Sequence, residues 1–189
     1  MNPLRSKLID VISEKGLRRL PEPVQLSSGE MSQDFIDGKE ALATYDDLEL
    51  AARAIVEAVH ARNIAFDAVG GLTLGADALA VAIAAVERCR WFIIRKAPKN
   101  RGTNRLIEGD QLADAPRVLL VDDVITTGGS ILQALEAVQQ TGATVVAAAT
   151  LVDRSDRATV RFDELGIPYF PMATYADLGI DPVGAAASG

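Results

Sequence analysis

The chain has 189 residues, 49% of them hydrophobic and 24% charged, which is enough apolar material for one globular domain and excludes a disordered chain. Its net charge of −7 argues against a dedicated nucleic-acid binder, and the single cysteine, Cys89, cannot close an internal disulfide. No apolar run approaches the roughly 20 residues that span a bilayer. The N-terminus lacks the charged-then-apolar pattern of a secretory signal, so the expectation is a cytoplasmic protein without a membrane partner. In chain order, Leu4, Leu8, Ile9, Ile12 and Leu17 recur at helical spacing and predict a helix ending near Gly16. Pro21, Pro23, Gly29 and Gly38 then punctuate two short candidate strands, Val24–Leu26 and Asp34–Ile36, read as an antiparallel element outside the main sheet. Asp46, with Glu49 three residues on, has the spacing of a capping box. The helix it would start carries Leu48, Ala51, Ala52, Ile55, Val56 and Val59 on one face, which predicts packing against a sheet. His60 near its end has no second His, Cys or nearby acid that gives it a metal or triad partner, and reads as a solvated or partly packed histidine at a helix C-terminus.

From Phe66 onward strands and helices alternate: strand Phe66–Val69, loop Gly70–Gly75, helix Ala76–Val86, strand Trp91–Ile94, strand Val118–Val121, a helix with Ile131, Leu132, Leu135 and Val138, and strand Val145–Val152. Continuous apolar strands separated by helices predict an α/β fold with a mainly parallel sheet covered on both faces. Ligands of such sheets bind beyond the carboxyl ends of the strands. The four polar loops, GGLTLG, RKAPKNRG, DDVITTGGS and the Asp153–Arg154 pair, each follow a strand and so converge on one composite site. The last residues, GAAASG, read as a frayed tail.

The most informative stretch is residues 118–130, VLLVDDVITTGGS. An apolar strand delivers Asp122 and Asp123 to a turn in which Thr126, Thr127 and Ser130 bring hydroxyls and Gly128 and Gly129 permit close backbone approach; a helix follows. Free amides at a helix N-terminus beside hydroxyls suit a phosphate. Paired acids alone also occur in phospho-receiver and magnesium pockets, so the weight lies on the whole string, which matches neither a P-loop nor a dinucleotide fingerprint. Acids beside such a cradle suit sugar hydroxyls, a bound magnesium ion, or both. Residues 95–105, RKAPKNRGTNR, hold five of the chain's 19 Lys and Arg and no acid. A charge run is commonly a solvated face. Here Pro98, Gly102, Asn100 and Asn104 disfavour regular structure, and long loops within compact domains tend to be lids. A cationic lid beside a phosphate cradle implies a ligand with several phosphates.

These residues resemble the 5-phosphoribosyl 1-pyrophosphate (PRPP) motif of the type I phosphoribosyltransferases. The order LSSG at 26–29, FDAVGGLTLGADALA at 66–80, RKAPKNRGTNRLIEG at 95–109 and VDR at 152–154 resembles the orotate branch, over about residues 20–181. The resemblance implies the type I phosphoribosyltransferase fold in one domain: an N-terminal helix and hood over about 1–38, an α/β core over about 39–181 and a flexible tail at 182–189. It implies transfer of phosphoribose from PRPP to orotate, with Mg2+ held mainly through PRPP and not by a protein site. It also implies a homodimer in which loop 95–105 reaches the neighbouring site.

By position, the resemblance gives Arg95, Lys96, Lys99 and Arg101 to the pyrophosphate, and Asp122 and Asp123 to the ribose hydroxyls. The stretch Val124, Ile125, Thr126, Thr127, Gly128, Gly129 and Ser130 falls to the PRPP cradle, and Thr126 and Arg154 to orotate. Lys99, Asp122 and Asp123 are the implied catalytic residues. The chain departs from the family in having Arg101 for a histidine, Ser27 for an orotate-contacting lysine, no lysine in GGLTLG, and Asp34–Phe35 for an aromatic pair. Those departures leave room for a phosphoribosyltransferase for another nucleobase; a separate alternative is a non-catalytic PRPP-binding regulator that uses the fold to bind ligand and control a partner.

Overall fold

The computed structural model describes residues 2–26, 28–97 and 105–184. Ser27, Lys99, Arg101 and the last five residues of the GAAASG tail, beyond Gly184, lie outside the described residues. The element order is α1 (Pro3–Val11), a π-helical turn (Ile12–Gly16), β1 (Leu17–Gln25), β2 (Met31–Ile36), α2 (Gly38–Ala41), α3 (Tyr45–His60), β3 (Ala68–Leu72) and α4 (Asp77–Glu87). There follow β4 (Arg90–Ile94), β5 (Ile107–Gly109), β6 (Arg117–Ile125), α5 (Gly129–Gln139), β7 (Thr144–Asp153), α6 (Arg157–Glu164) and β8 (Tyr169–Thr174). No helix of the described residues is long and apolar enough to cross a membrane.

The main sheet runs β5-β4-β3-β6-β7-β8, parallel except for β5, an antiparallel edge strand on β4. Alternation along β6 sends Leu119 and Val121 into one core and Val118 and Leu120 into the other. Residues of α1, α3 and α4 fill the first core, and those of α5 and α6 the second, so the sheet is buried on both faces as the apolar strands predict. The layout is the one the resemblance implies, with β1 and β2 as an antiparallel hood beside the sheet. Strand order reverses between β3 and β6, where the chain turns from building leftward to building rightward. Ligands collect in the crevice at such a point, outside the carboxyl ends of the strands.

Several elements differ from the sequence expectation, each for a non-local reason. Gly70 and Gly71 belong to β3 and not to a loop. A Cβ on Gly71 would stand 2.0 Å from the Val121 carbonyl, and one on Gly70 would stand 2.3 Å from that of Phe92. The glycines therefore let neighbouring strands and side chains close in, and the loop shrinks to the residues around Thr73–Gly75. Strand β6 continues through Asp122–Ile125 because β7 pairs with it there, Asp122 opposite Thr150 and Ile125 opposite Asp153. The hood strand β1 starts at Leu17 and absorbs Pro21 and Pro23 at a register shift between Arg19 and Val24, which a two-stranded ribbon tolerates. Helix α3 is capped by Thr44, whose hydroxyl accepts from the Asp47 amide, and not by Asp46; Glu49 pairs with Arg53 one turn on. His60 does have an acid partner, Glu87 of α4 at 3.1 Å, supplied by helix packing and invisible in sequence order. The stretch after the cationic segment is not wholly a loop, since Ile107 joins β5 and both it and Leu112 are buried.

Candidate active site

The carboxyl ends of β3 and β6 border a cleft of about 920 Å³. Asp122 is buried at its floor, where one carboxylate oxygen accepts from the Asp123 amide at 3.0 Å and the other from the Ser130 hydroxyl. Burial pushes its pKa up to about 6; the Ser130 hydroxyl pulls it back, and the neighbouring Asp123 charge adds to the rise. Asp123 accepts from the Val124 amide at 2.7 Å and from the Lys39 ammonium at 2.7 Å. The loop after β3 presses on both acids: a Cβ on Gly75 would lie 2.5 Å from an oxygen of each. Only glycine lets that backbone approach so closely.

Beyond the acids, Thr126 and Thr127 lead to Gly128, whose φ of +76° turns the chain into α5. Among the described residues no side chain caps α5, so its first-turn amides, at the edge of the cleft, favour an anion. The Ser155 hydroxyl donates to the Thr126 carbonyl and ties the cradle to the end of β7.

A smaller cleft of about 250 Å³ opens under the hood. Its walls include Phe35 and Ile36 from β2 and Arg154 from the end of β7, and it shares Lys39, Asp123, Val124 and Thr126 with the larger cleft. Arg154 is only 1% exposed. Its Nη2 donates to Ser32 Oγ at 3.0 Å, while its Nε has no hydrogen-bond partner among the described residues. Burial lowers its pKa and the nearby Asp34 charge raises it; a guanidinium stays protonated regardless. A guanidinium presents a planar fork of donors that suits an anionic group.

Every described residue that the sequence pointed to for PRPP lines the larger cleft: Arg95, Lys96, Asp122, Asp123 and Val124 through Ser130. Thr126 stands at the junction and Arg154 in the smaller cleft. Phe35 faces that cleft too, whereas Asp34 is buried near Arg19, 3.8 Å away. Sequence reasoning missed Lys39, Ser28 and Gln133, which also line the larger cleft. A lone lysine after a hood strand carries no local signal.

Residues 40–164 match the family model of the phosphoribosyl transferase domain, so fold and site together define a phosphoribosyltransferase. Among relatives, the orotate phosphoribosyltransferase of Thermococcus gammatolerans is 38% identical over 174 residues, 92% of this chain and 91% of that one. That of Mycobacterium avium is 41% identical over 159 residues, 83% of this chain and 87% of its own. The chain belongs to the orotate phosphoribosyltransferase family. The crystal structure of Mycobacterium tuberculosis orotate phosphoribosyltransferase in complex with PRPP superposes with a TM-score of 0.75 at 34% identity, covering 94% of this chain and all of that one. A Trypanosoma brucei adenine phosphoribosyl transferase shares the fold at a TM-score of 0.71 and 19% identity, so the fold alone does not choose the base.

Proposed function

We infer that this chain transfers the phosphoribosyl group of PRPP to orotate, releasing pyrophosphate and forming orotidine 5'-monophosphate in pyrimidine nucleotide biosynthesis. The observation that carries the base assignment is Arg154, a buried guanidinium lining the cleft that adjoins the acids and the cradle, whose Nε has no hydrogen-bond partner among the described residues. Orotate brings a carboxylate to match it. In this reading the Thr126–Ser130 turn and the α5 N-terminus hold the 5-phosphate, Asp122 and Asp123 accept from the ribose hydroxyls, and Arg95 and Lys96 face the pyrophosphate. As the C1–oxygen bond breaks, positive charge grows on the sugar and negative charge on the leaving group, so positioned charges do the catalytic work. Lys99 and Arg101, beyond the described residues, are assigned to the departing pyrophosphate on sequence grounds alone.

Magnesium fits as an ion carried with the substrate. Asp122 and Asp123 would offer it the oxygen donors that Mg2+ prefers, beside phosphate oxygens and water. When bound it supplies charge neutralisation to the pyrophosphate. Because Leu8 and Ile12 of the N-terminal segment are buried in the same core as α3 and α4, the whole chain acts as one catalytic domain in this reading.

The deciding experiment mixes the protein with PRPP, Mg2+ and a panel of nucleobases. Pyrophosphate release with orotate alone is expected. Release with only another base would reassign the acceptor, and none with any base would leave a PRPP-binding regulator. The reading extends to a cytoplasmic homodimer in which loop 95–105 serves the neighbouring site. Mixing Lys99→Ala subunits with subunits altered at both Asp122 and Asp123 should then restore partial activity, since one of the two sites regains a full set. No recovery in such mixtures would place the loop on its own subunit's site.

A further inference from the structure

The larger cleft has a cation that neither the sequence patterns nor the reading above uses. The loop closing its β3 side, Thr73 to Gly75, brings no charge. Lys39 reaches in from the opposite wall. Its backbone is fixed, because the Asp37 carboxylate accepts from the Lys39 amide at 3.0 Å and from the Glu40 amide at 3.1 Å. The residue before it, Gly38, is seated on the end of β6: a Cβ there would stand 3.1 Å from that of Asp123 and 3.2 Å from the Val124 side chain. The lysine stem therefore leaves the backbone directly beside the acid, and its ammonium lies 2.7 Å from Asp123 Oδ2.

Three features make this more than an ion pair of the fold. Lys39 borders both clefts, so its ammonium stands where a ligand lying across them would pass from phosphate cradle to base. Its side chain is 60% exposed against 15% for Asp123, so the stem is free to turn while the acid stays in place. An exposed pair of this kind contributes little to stability and is easily exchanged for a better partner. A ribose hydroxyl donating to Asp123 would take the place now held by the ammonium, and the freed cation would then stand beside the sugar carbon that bears the pyrophosphate.

We propose that Lys39 is a substrate-binding residue whose ammonium pairs with Asp123 and passes to the pyrophosphate of PRPP when a ribose hydroxyl takes its place there. The assignment rests on the PRPP reading above. The pair with Asp123 keeps the two adjacent acids from repelling each other unopposed. Ligand-bound, the same charge neutralises the leaving group from the side away from the cationic segment after β4.

Calorimetric titration of the parent, Lys39→Met and Lys39→Arg with PRPP, with magnesium pyrophosphate and with ribose 5-phosphate tests this. Lys39→Met should weaken PRPP and pyrophosphate about tenfold or more, the size of one hydrogen bond to a charged group, and ribose 5-phosphate less than about twofold. Lys39→Arg should recover most of the loss. Equal weakening of PRPP and ribose 5-phosphate would reduce Lys39 to a neutraliser of Asp123, and no change in any ligand would remove it from the site; either overturns the proposal. If the parent itself fails to bind PRPP, the PRPP reading falls and this inference with it, an outcome distinct from the other two.

Discussion

Replacing Arg154 with leucine should lower kcat/KM for orotate by about 10²- to 10³-fold while PRPP affinity changes by less than about threefold. The figure follows from removing one partner of a buried charge pair, which costs about 3–5 kcal/mol. The guanidinium is 1% exposed and, among the described residues, makes one side-chain hydrogen bond, to Ser32, with no partner for Nε. Its burial is therefore a cost that the Asp34 charge and the Ser32 hydroxyl offset in part and that an anionic ligand would offset further. Leucine removes that cost along with the charge, so the melting temperature should stay close to the parent's. Arg154→Lys should fall between the two, since it keeps the charge but loses the planar fork. Initial rates of pyrophosphate release against orotate, at saturating PRPP, measure the effect. An unchanged orotate KM in the leucine variant would sever Arg154 from base recognition.

Asp122→Asn should cut activity by about 10- to 100-fold, the loss of a charged hydrogen-bond acceptor, and yet make the protein more stable above pH 6. Asp122 has a pKa of about 6 in the fold, raised from the usual 3.8, so the folded state holds its proton more tightly than the unfolded chain. Its contribution to stability is fully present below pH 3.8 and is lost as pH rises through about 6. The gap corresponds to about 3 kcal/mol by pH 7.5. Asparagine cannot ionise and escapes that loss, while its side chain can still bond Ser130. Asp153, also pushed up to about 6 by burial, is common to both proteins and does not enter the difference. Denaturant melts of parent and variant should therefore diverge between pH 4 and pH 7.5, with the variant above. Parallel curves would mean that Asp122 is ionised throughout. Activity gained at the expense of stability is the usual position of a buried functional acid.

How much of this was legible beforehand varied with how local each signal is. The string at 118–130 announced acids, hydroxyls and a turn before a helix, because each of those jobs is done by residues adjacent in the chain. The alternation of apolar strands and amphipathic helices likewise carried the doubly covered parallel sheet. Glycine was ambiguous: Gly70 and Gly71 read as a turn, yet they serve close packing against Phe92 and Val121 from other strands. The end of β6 was set too early because its pairing partner, β7, begins nearly twenty residues later in the chain. Local order therefore determined the chemistry of the phosphate cradle and the class of fold. The tertiary structure decided which residues stand opposite it: Arg154, closed off from water beneath the hood, and Lys39, laid on Asp123 from 84 positions away. Burial and charge pairing depend on what the folded chain brings from elsewhere, and no window of sequence contains that.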